Sequence, residues 1–239
     1  MIGLRPLHPD LPADRPQMGV DEAGRGSFWG PLIAAAVILP DVAALETGHP
    51  LRENVVLIKD SKKLTEKRRQ KIYDILVTHA IAIGVGRVEA IEIDQKNAFW
   101  ANSLAFRRAV DACAVDYVGR GGAPANITSY SVVLDGHLPL PDFRPHEAVV
   151  NVAEADATYL HAAAASIVAK VTHDRIIEDW CMAHPREAAV YALASSKGYG
   201  TAAHRAAIQR HGPLEDHRRS YLRRTAPAHA LAGISIMDD

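Results

Sequence analysis

The stretch GVDEAGRG at residues 19–26 places two adjacent acids between a short apolar lead-in and a pair of glycines. Directly beyond it, the run LIAAAVIL at residues 32–39 is apolar throughout and is bounded by prolines. Such a run predicts a central strand in a sheet that is covered on both faces. Adjacent side chains of a strand point to opposite faces, so Asp21 and Glu22 can serve one site only if the strand ends or distorts there. The two glycines make that distortion possible.

The rest of the chain shows strand and helix patterns in mixed order. Apolar runs predict three further strands, at residues 81–88, 130–134 and 148–153. Helical spacing predicts three helices, one beginning after Thr65 and two others over about 91–118 and 157–180. Residues 41–58 are predicted as a loop, and Gly84 and Gly86 are predicted to weaken their strand. Alanines 162–165 would let the last helix approach its neighbour closely. The pattern indicates an α/β domain with a helical appendage.

Composition shifts along the chain predict four segments. Residues 1–16 form an irregular tail, because their prolines remove hydrogen-bond donors and fix the backbone. The α/β domain covers residues 17–194, a basic turn-helix-turn extension covers 195–225, and residues 226–239 form a flexible tail.

Overall composition excludes several classes of protein. Among 239 residues, 48% are hydrophobic and 23% are charged, which excludes a disordered or low-complexity chain. The two cysteines, Cys113 and Cys181, form no CxxC pair, which fits a reducing compartment. The longest apolar run is far shorter than the roughly 20 residues that a membrane-spanning helix needs. The N-terminal prolines also interrupt any signal peptide. We therefore expect a cytoplasmic protein that does not associate with membranes.

Positive charge is concentrated in two places although the formal net charge is −1. Residues 59–71 and 196–225 each contain seven lysines and arginines against two acids. Two cationic patches on a nearly neutral chain suggest an anionic partner that contacts the protein at these two segments. Solvated helix faces would give the same pattern, so charge alone leaves both interpretations open.

Four acids stand where predicted strands end or a helix begins, at Asp21, Glu22, Asp135 and Asp156. If these elements are neighbours, the carboxylates could not all stay ionised without a cation. Hard oxygen ligands without cysteine or His-x3-His spacing select Mg²⁺ or Mn²⁺ rather than Zn²⁺. Two such ions about 4 Å apart could clamp a phosphodiester. Each acid also has a simpler interpretation, because Asp135-Gly136 is an ordinary turn signal and Asp156 could cap a helix.

The stretch at residues 19–26, with Gly30-Pro31 after it, resembles the opening motif of the ribonuclease HII family. Further blocks resemble that family in the same order: DSKKLT at 60–65, LDG at 134–136, the segment 155–172, KGYGT at 197–201 with His204, and HRRSY at 217–221. The likeness covers most of the chain. Three features depart from the family pattern: Ser27-Phe28-Trp29 replaces smaller residues, His173 stands where arginine is expected, and the loops 41–54 and 119–129 are long.

The resemblance implies an RNase H-like fold, with a mixed five-stranded sheet flanked by helices and a C-terminal helical extension. Residues 17–194 would be the catalytic domain and 195–225 the substrate-binding extension. The implied activity is cleavage of the RNA strand of RNA–DNA hybrids by an endonuclease that requires Mn²⁺ or Mg²⁺. Nicking would also occur 5′ of single ribonucleotides in duplex DNA, leaving a 3′-hydroxyl and a 5′-phosphate. The protein would act as a monomer.

The resemblance also assigns roles to particular residues. The metal ligands and catalytic residues would be Asp21, Glu22, Asp135 and Asp156. The substrate-binding residues would be Gly24, Arg25 and Gly26, whose backbone reads the ribose 2′-hydroxyl, Tyr199, which packs against the deoxyribose past the junction, and Lys62, a phosphate contact. The Arg218-Arg219 pair is a further candidate for phosphate contact.

Other classes of protein explain the sequence less well. A dinucleotide-binding motif lacks its third glycine because position 29 is Trp29. His204, His211 and His217 have no zinc-ligand spacing and are expected to face solvent or phosphate. Two alternatives remain. A ribonuclease HIII-like enzyme would have a glutamate as its fourth acid, where Asp156 stands here, and a non-catalytic nucleic-acid-binding protein would not need the four acids.

Overall fold

The computed structural model describes residues 4–12, 15–59, 61–122, 130–136 and 148–222. Its centre is a five-stranded sheet with the strand order β3-β2-β1-β4-β5. The strands are β1 Gln17–Ala23, β2 Leu32–Ile38, β3 Ala82–Val88, β4 Ser131–Asp135 and β5 Ala148–Val152. β1, β2 and β3 are antiparallel neighbours, whereas β4 is parallel to both β1 and β5. The expected mixed five-stranded sheet is confirmed.

Helices surround this sheet and continue beyond it. The α-helices are α1 Pro50–Asn54, α2 Glu66–His79, α3 Ala90–Gln95, α4 Ala98–Gly119, α5 Ala155–Thr158, α6 Leu160–Ala183, α7 Pro185–Val190, α8 Leu193–Ser196 and α9 Ala202–His211. Short 3₁₀ turns cover Val55–Leu57, Ser61–Lys63 and Arg219–Tyr221. In the described part of the chain, no helix is both long and apolar enough to cross a membrane.

The central strand β2 is buried along its whole length, as its apolar run predicts. Ile33, Ala35 and Val37 belong to a core cluster with α2 and α6. Leu32, Ala34, Ala36 and Ile38 belong to a second cluster with α4 on the other side. Because alternate side chains of one strand enter two different cores, the sheet is covered on both faces.

Small residues allow the covering helices to approach the sheet closely. A Cβ at Gly84 would lie 2.1 Å from the carbonyl oxygen of Ala109, and one at Gly86 would lie 2.0 Å from that of Ala105. These glycines therefore make room for α4, so the prediction that they only weaken β3 misses their role. On the other face, Ala162–Ala165 of α6 are fully buried, as expected for a close approach.

Two predicted elements differ in detail from the structure. The helix predicted over 91–118 is divided into α3 and α4, because the Asn97 side chain accepts a hydrogen bond from the Trp100 N–H at 2.8 Å and caps a new helix. The predicted loop at 41–58 contains α1, which begins with Pro50 at a favoured first position.

The C-terminal helices share an apolar cluster with the loop between β1 and β2. This cluster contains Trp29, Ile177, Tyr191, Leu193, Ala207, Ile208 and Leu222. Trp29 is only 2% exposed, and its ring lies 4.6 Å from that of Trp180 on α6. The Ser27-Phe28-Trp29 departure therefore supplies an anchor for the C-terminal segment. The predicted tail at 226–239, and residues 123–129 of the predicted long loop, lie outside the described residues.

Candidate functional site

Asp21 and Asp135 lie beside each other where two parallel strands end. The register pairs Val20 of β1 with Leu134 of β4, and the two aspartates are the next residues along. Asp21 is 6% exposed. Burial raises the pKa of Asp21 well above its usual value, and the negative charges of Glu22 and Asp135 raise it further. Parallel pairing thus brings together two acids that are more than a hundred residues apart in the chain.

Glu22 belongs to the same electrostatic group, although it follows Asp21 directly on β1. Burial raises the pKa of Glu22 to about 6, the positive charges of Arg25 and Lys62 oppose this rise, and Asp135 adds to it. Arg25 forms a 3.3 Å ion pair with Glu22. Next to these acids, Gly24 adopts a φ of +81°, which turns the chain away from the strand direction. β1 nevertheless continues through both acids to Ala23, paired with β2, so the expectation that the strand ends or distorts at Asp21 and Glu22 is not met and the chain turns only at Gly24.

The fourth acid, Asp156, lies in the first turn of α5, next to Asp135. The Ala155 N–H donates to Oδ1 of Asp135 at 2.6 Å, and the Asp156 N–H also donates to that carboxylate. Burial raises the pKa of Asp135, and these two donors lower it. Glu154, not Asp156, occupies the N-cap position of α5. The capping interpretation of Asp156 is therefore wrong, and this 7%-exposed residue is joined to Asp135 through its backbone N–H.

The chemistry of this acid group suits a divalent cation. All its donors are carboxylate oxygens, which Mg²⁺ and Mn²⁺ prefer. Burial is the main cause of the raised pKa values of Asp21, Glu22 and Asp135, and a bound cation would offset the cost of ionising these buried acids. Within the described residues, no three or more histidine, cysteine or acidic side chains stand so that they could hold an ion as they are. The donor type and the charge of these residues therefore suit a divalent metal ion, but their side chains are not already arranged as a set of ligands.

A cleft of about 400 Å³ opens beside the acids. Its lining is formed by Glu22, Ala23, Gly24, Arg25, Gly26, Ser61, Lys62, Ser166, Lys170 and Tyr199. It therefore combines one of the acids with three basic side chains, of which Arg25 is 53% exposed. A cleft that is acidic at one end and basic along its walls can accept a phosphate backbone whose charge is partly balanced by bound cations. A cavity of similar size near Pro16 and His161 lies at the other end of the sheet and contains none of the four acids.

Sequence reasoning gave no role to two polar residues of α6 that face this cleft. Ser166 donates a hydrogen bond to Ser61 Oγ at 2.9 Å and is hydrogen-bonded to Asp21. Lys170 lies one turn further along and has its Nζ 5.5 Å from the ring centre of Tyr199. The sequence does carry a signal for these two residues: Ser166 and Lys170 follow the buried Ala162 at intervals of four, so they lie on the same face of the helix.

Tyr199 contacts the glycine-arginine-glycine loop directly. Its hydroxyl accepts a hydrogen bond from the Gly24 N–H at 3.2 Å. Its backbone forms an isolated antiparallel bridge with Ser27. The predicted sugar-reading residues, distant in sequence, therefore line one wall of the cleft next to Glu22.

Arg218 holds this loop from inside the protein. It is fully buried, donating from Nε to the Gly30 carbonyl at 3.0 Å and from Nη1 to the Arg25 carbonyl at 2.9 Å. The prediction that Arg218 contacts phosphate is therefore wrong, because its guanidinium group is enclosed by the loop that it supports. The expectation that His204 and His217 face solvent or phosphate is also wrong, since both rings are buried.

His173 packs beneath the same loop, at the position where arginine was expected. Its ring is fully buried, and its Nδ1 lies 3.1 Å from Oδ1 of Asp174. Burial lowers the pKa of His173. A Cβ at Gly24 would lie 2.4 Å from the imidazole Nε2. The histidine thus fills the space that a side chain at Gly24 would need.

We expect Gly24→Ala to destabilise the protein by about 1–3 kcal/mol more than Gly48→Ala, because overpacking adds to backbone strain. Gly48 is the matched control, since its φ is +93° and a Cβ there would meet nothing within 4 Å. Urea denaturation of both variants measures the difference. Equal stability of the two variants would contradict the packing of His173 against Gly24.

The fold and this site define the class of the protein: it is an RNase H-like nuclease. The ribonuclease HII family model matches residues 18–225. Ribonuclease HII of Fusobacterium nucleatum is 39% identical over 209 residues, covering 87% of this chain and 86% of the relative. Ribonuclease HII of an Acidovorax species is 40% identical over 203 residues, covering 85% and 83%. The chain belongs to the ribonuclease HII family and is a type 2 ribonuclease H, a divalent-metal-dependent endonuclease that acts on RNA–DNA hybrids.

Solved structures support the same fold. The ribonuclease H2 from Pyrococcus horikoshii matches with a TM-score of 0.59 and 25% identity, covering 86% of this chain and 93% of that one. A Bst RNase HIII structure in complex with Mn²⁺ matches with a TM-score of 0.59 and 21% identity, covering 83% and 63%, which shows the fold alone. The predicted RNase H-like fold and the predicted family are confirmed, so the alternatives of ribonuclease HIII and of a non-catalytic binder are set aside.

Proposed function

We propose that the protein nicks duplex DNA on the 5′ side of a single embedded ribonucleotide, in addition to cleaving the RNA strand of hybrids. The observation that carries this proposal is the hydrogen bond between the Gly24 N–H and the Tyr199 hydroxyl. It places a backbone segment and an aromatic ring at one wall of the cleft that also contains Glu22. This wall of the cleft can thus contact a sugar while the neighbouring phosphodiester lies next to the acids.

Sugar discrimination would come from the loop and the ring acting on consecutive nucleotides. Only the 2′-hydroxyl distinguishes ribose from deoxyribose, so a reader must approach the sugar closely. Gly26 is exposed and has nothing within 4 Å of an added Cβ, which leaves the backbone accessible. The flat ring of Tyr199 would pack against a deoxyribose and disfavour an additional hydroxyl. The junction between a ribonucleotide and a deoxyribonucleotide is therefore the preferred substrate feature.

The acids Asp21, Glu22, Asp135 and Asp156 would hold two Mn²⁺ or Mg²⁺ ions. When bound, such ions activate water and stabilise the leaving oxygen, which yields a 3′-hydroxyl and a 5′-phosphate. The positive charges of Arg25, Lys62 and Lys170 would position the phosphate backbone along the cleft. The described cleft and all four acids belong to one chain, so we propose that a monomer is sufficient for activity.

A duplex DNA with one ribonucleotide and a 5′ label tests this function. We expect a single nick on the 5′ side of the ribonucleotide in Mn²⁺ or Mg²⁺, with a 3′-hydroxyl on the labelled product. EDTA should abolish the nick, and the all-DNA duplex of the same sequence should remain intact. Cleavage of a continuous hybrid without any cleavage of the single-ribonucleotide duplex would contradict the proposal.

A further inference from the structure

Two histidines of the C-terminal segment are buried in direct contact with each other. Nε2 of His204, on α9, lies 3.0 Å from Nε2 of His217. The two residues are 0% and 1% exposed. The ring of Tyr191 packs against both, and its hydroxyl donates to the Gly212 carbonyl at 2.6 Å. Neither histidine lines the cleft, so neither can touch a substrate there.

The surrounding hydrogen bonds allow only one arrangement of protons on the pair. The Leu214 N–H donates to Nδ1 of His217 at 2.7 Å, so that ring carries its proton on Nε2. His217 therefore donates to Nε2 of His204, whose own proton is on Nδ1. This Nδ1 donates to the Tyr199 carbonyl at 2.9 Å. Donors and acceptors thus run in one direction from Leu214 to Tyr199, through two neutral rings.

The end of this hydrogen-bond chain is the residue that lies against the cleft. The carbonyl of Tyr199 accepts the hydrogen bond from His204 Nδ1, and its hydroxyl accepts one from the Gly24 N–H. The ring between these two ends has only two side-chain torsions. The Tyr199 carbonyl accepts hydrogen bonds from the Thr201 N–H at 2.8 Å and from His204 Nδ1 at 2.9 Å, so the histidine pair contributes to where the Tyr199 ring lies relative to the loop.

We propose that His204 and His217 are positioning residues for Tyr199, which set its ring against the sugar past the cleavage junction without touching substrate themselves. This inference rests on the sugar-reading role proposed for Tyr199. A displacement of about 1 Å at a positioning contact can lower a rate by about 10²-fold. The effect should be specific to substrates in which Tyr199 packs against a deoxyribose.

The test compares the cleavage rates of two substrates, a duplex with a single ribonucleotide and a continuous RNA–DNA hybrid. A deoxyribose follows the junction in the first, whereas a ribose follows the scissile position in the second. His204→Leu removes both hydrogen bonds of the ring, whereas His204→Asn keeps a donor near Nδ1 but cannot reach His217. His211→Asn, on an exposed histidine of the same helix, is the matched control.

We expect His204→Leu to lower the rate on the single-ribonucleotide duplex about tenfold more than the rate on the hybrid, and His204→Asn, which lacks the contact with His217, to restore only part of this ratio. Hybrid cleavage reports that each variant is folded. An unchanged ratio in His204→Leu, or equal losses on both substrates in both variants, would overturn the inference. Tyr199→Ala tests the proposed role of Tyr199 separately from that of the histidines. If Tyr199→Ala keeps the wild-type ratio of the two cleavage rates, the sugar-reading role of Tyr199 is wrong. If Tyr199→Ala changes this ratio but His204→Leu does not, only the role of the histidines is wrong.

Discussion

Asp21→Asn is expected to lower the rate of RNA–DNA hybrid cleavage about 10³-fold while the protein stays folded. A carboxylate that holds a catalytic ion contributes several kcal/mol of transition-state stabilisation, and each 1.36 kcal/mol corresponds to a factor of about ten. Asparagine keeps the shape of the side chain and can still accept the hydrogen bond from the Glu22 N–H. Single-turnover cleavage in Mn²⁺ measures the loss, and gel shift in Ca²⁺ measures retained hybrid binding.

The same variant should be more stable than the wild type when metal is removed. The pKa of Asp21 is raised by burial, so the folded state keeps a proton that the unfolded chain has released. Stability from this group therefore falls as pH rises above its ordinary pKa of 3.8, because the unfolded chain releases the proton before the folded state does. We expect a higher Tm for Asp21→Asn in EDTA. Asp179→Asn, on an exposed position of α6, is the control.

The cleavage measurement decides the role of Asp21. If Asp21→Asn cleaves the RNA–DNA hybrid within tenfold of the wild-type rate, Asp21 is not a catalytic residue.

Arg218→Met is expected to destabilise the protein by about 2–4 kcal/mol, because it removes two charge-assisted hydrogen bonds from a fully buried site. The Gly30 carbonyl would lose its bond to Nε, whereas the Arg25 carbonyl would keep the Tyr221 hydroxyl as a donor. Methionine preserves much of the apolar volume, so the loss reports on hydrogen bonding rather than on a cavity. Urea denaturation measures the change in the free energy of unfolding.

The matched control for this prediction is Arg210→Met, because Arg210 is exposed on α9. Substitutions at exposed positions usually change stability by about 0.5 kcal/mol or less. We also expect Arg218→Met to lower cleavage, since the loop that it holds carries Arg25. A stability loss below about 1 kcal/mol would show that Arg218 does not hold the loop.

The four acids could be assigned from the sequence because the blocks that contain them resemble the ribonuclease HII family, whereas their local positions alone left simpler interpretations open. Asp21 and Asp135 end apolar runs, and the parallel pairing of those runs places them together. Asp156 was ambiguous, since an acid near the start of a helix is also a common cap. Only the structure distinguishes the two interpretations, because it shows Glu154 at the N-cap position.

Burial of the basic C-terminal residues could not be found in the same way. The sequence shows the positive charge of Arg218 but not that two carbonyls from the loop after β1 enclose it. For His204 and His217, the partners Tyr199 and Leu214 lie within five residues along the chain, but the contact between the two rings depends on how α9 packs against the segment that follows it. Local patterns predict elements and their ends, whereas contacts between segments nearly two hundred residues apart depend on how the C-terminal helices pack.

One helix break, by contrast, leaves a signal in the sequence. Asn97 is a strong N-cap residue in the middle of a stretch whose apolar spacing predicts a single helix. Apolar spacing alone does not reveal such an interruption, because α3 and α4 both present apolar faces to the sheet. Capping residues should therefore be weighed against periodicity in long helical patterns.

The most direct test of the central claim is anomalous diffraction from crystals of the wild-type protein soaked in Mn²⁺. We predict density for two ions about 4 Å apart, coordinated by carboxylate oxygens of Asp21, Glu22, Asp135 and Asp156. Absence of ion density at this edge of the sheet, or Asp135 and Asp156 remaining beyond coordination distance of a bound ion, would contradict the account.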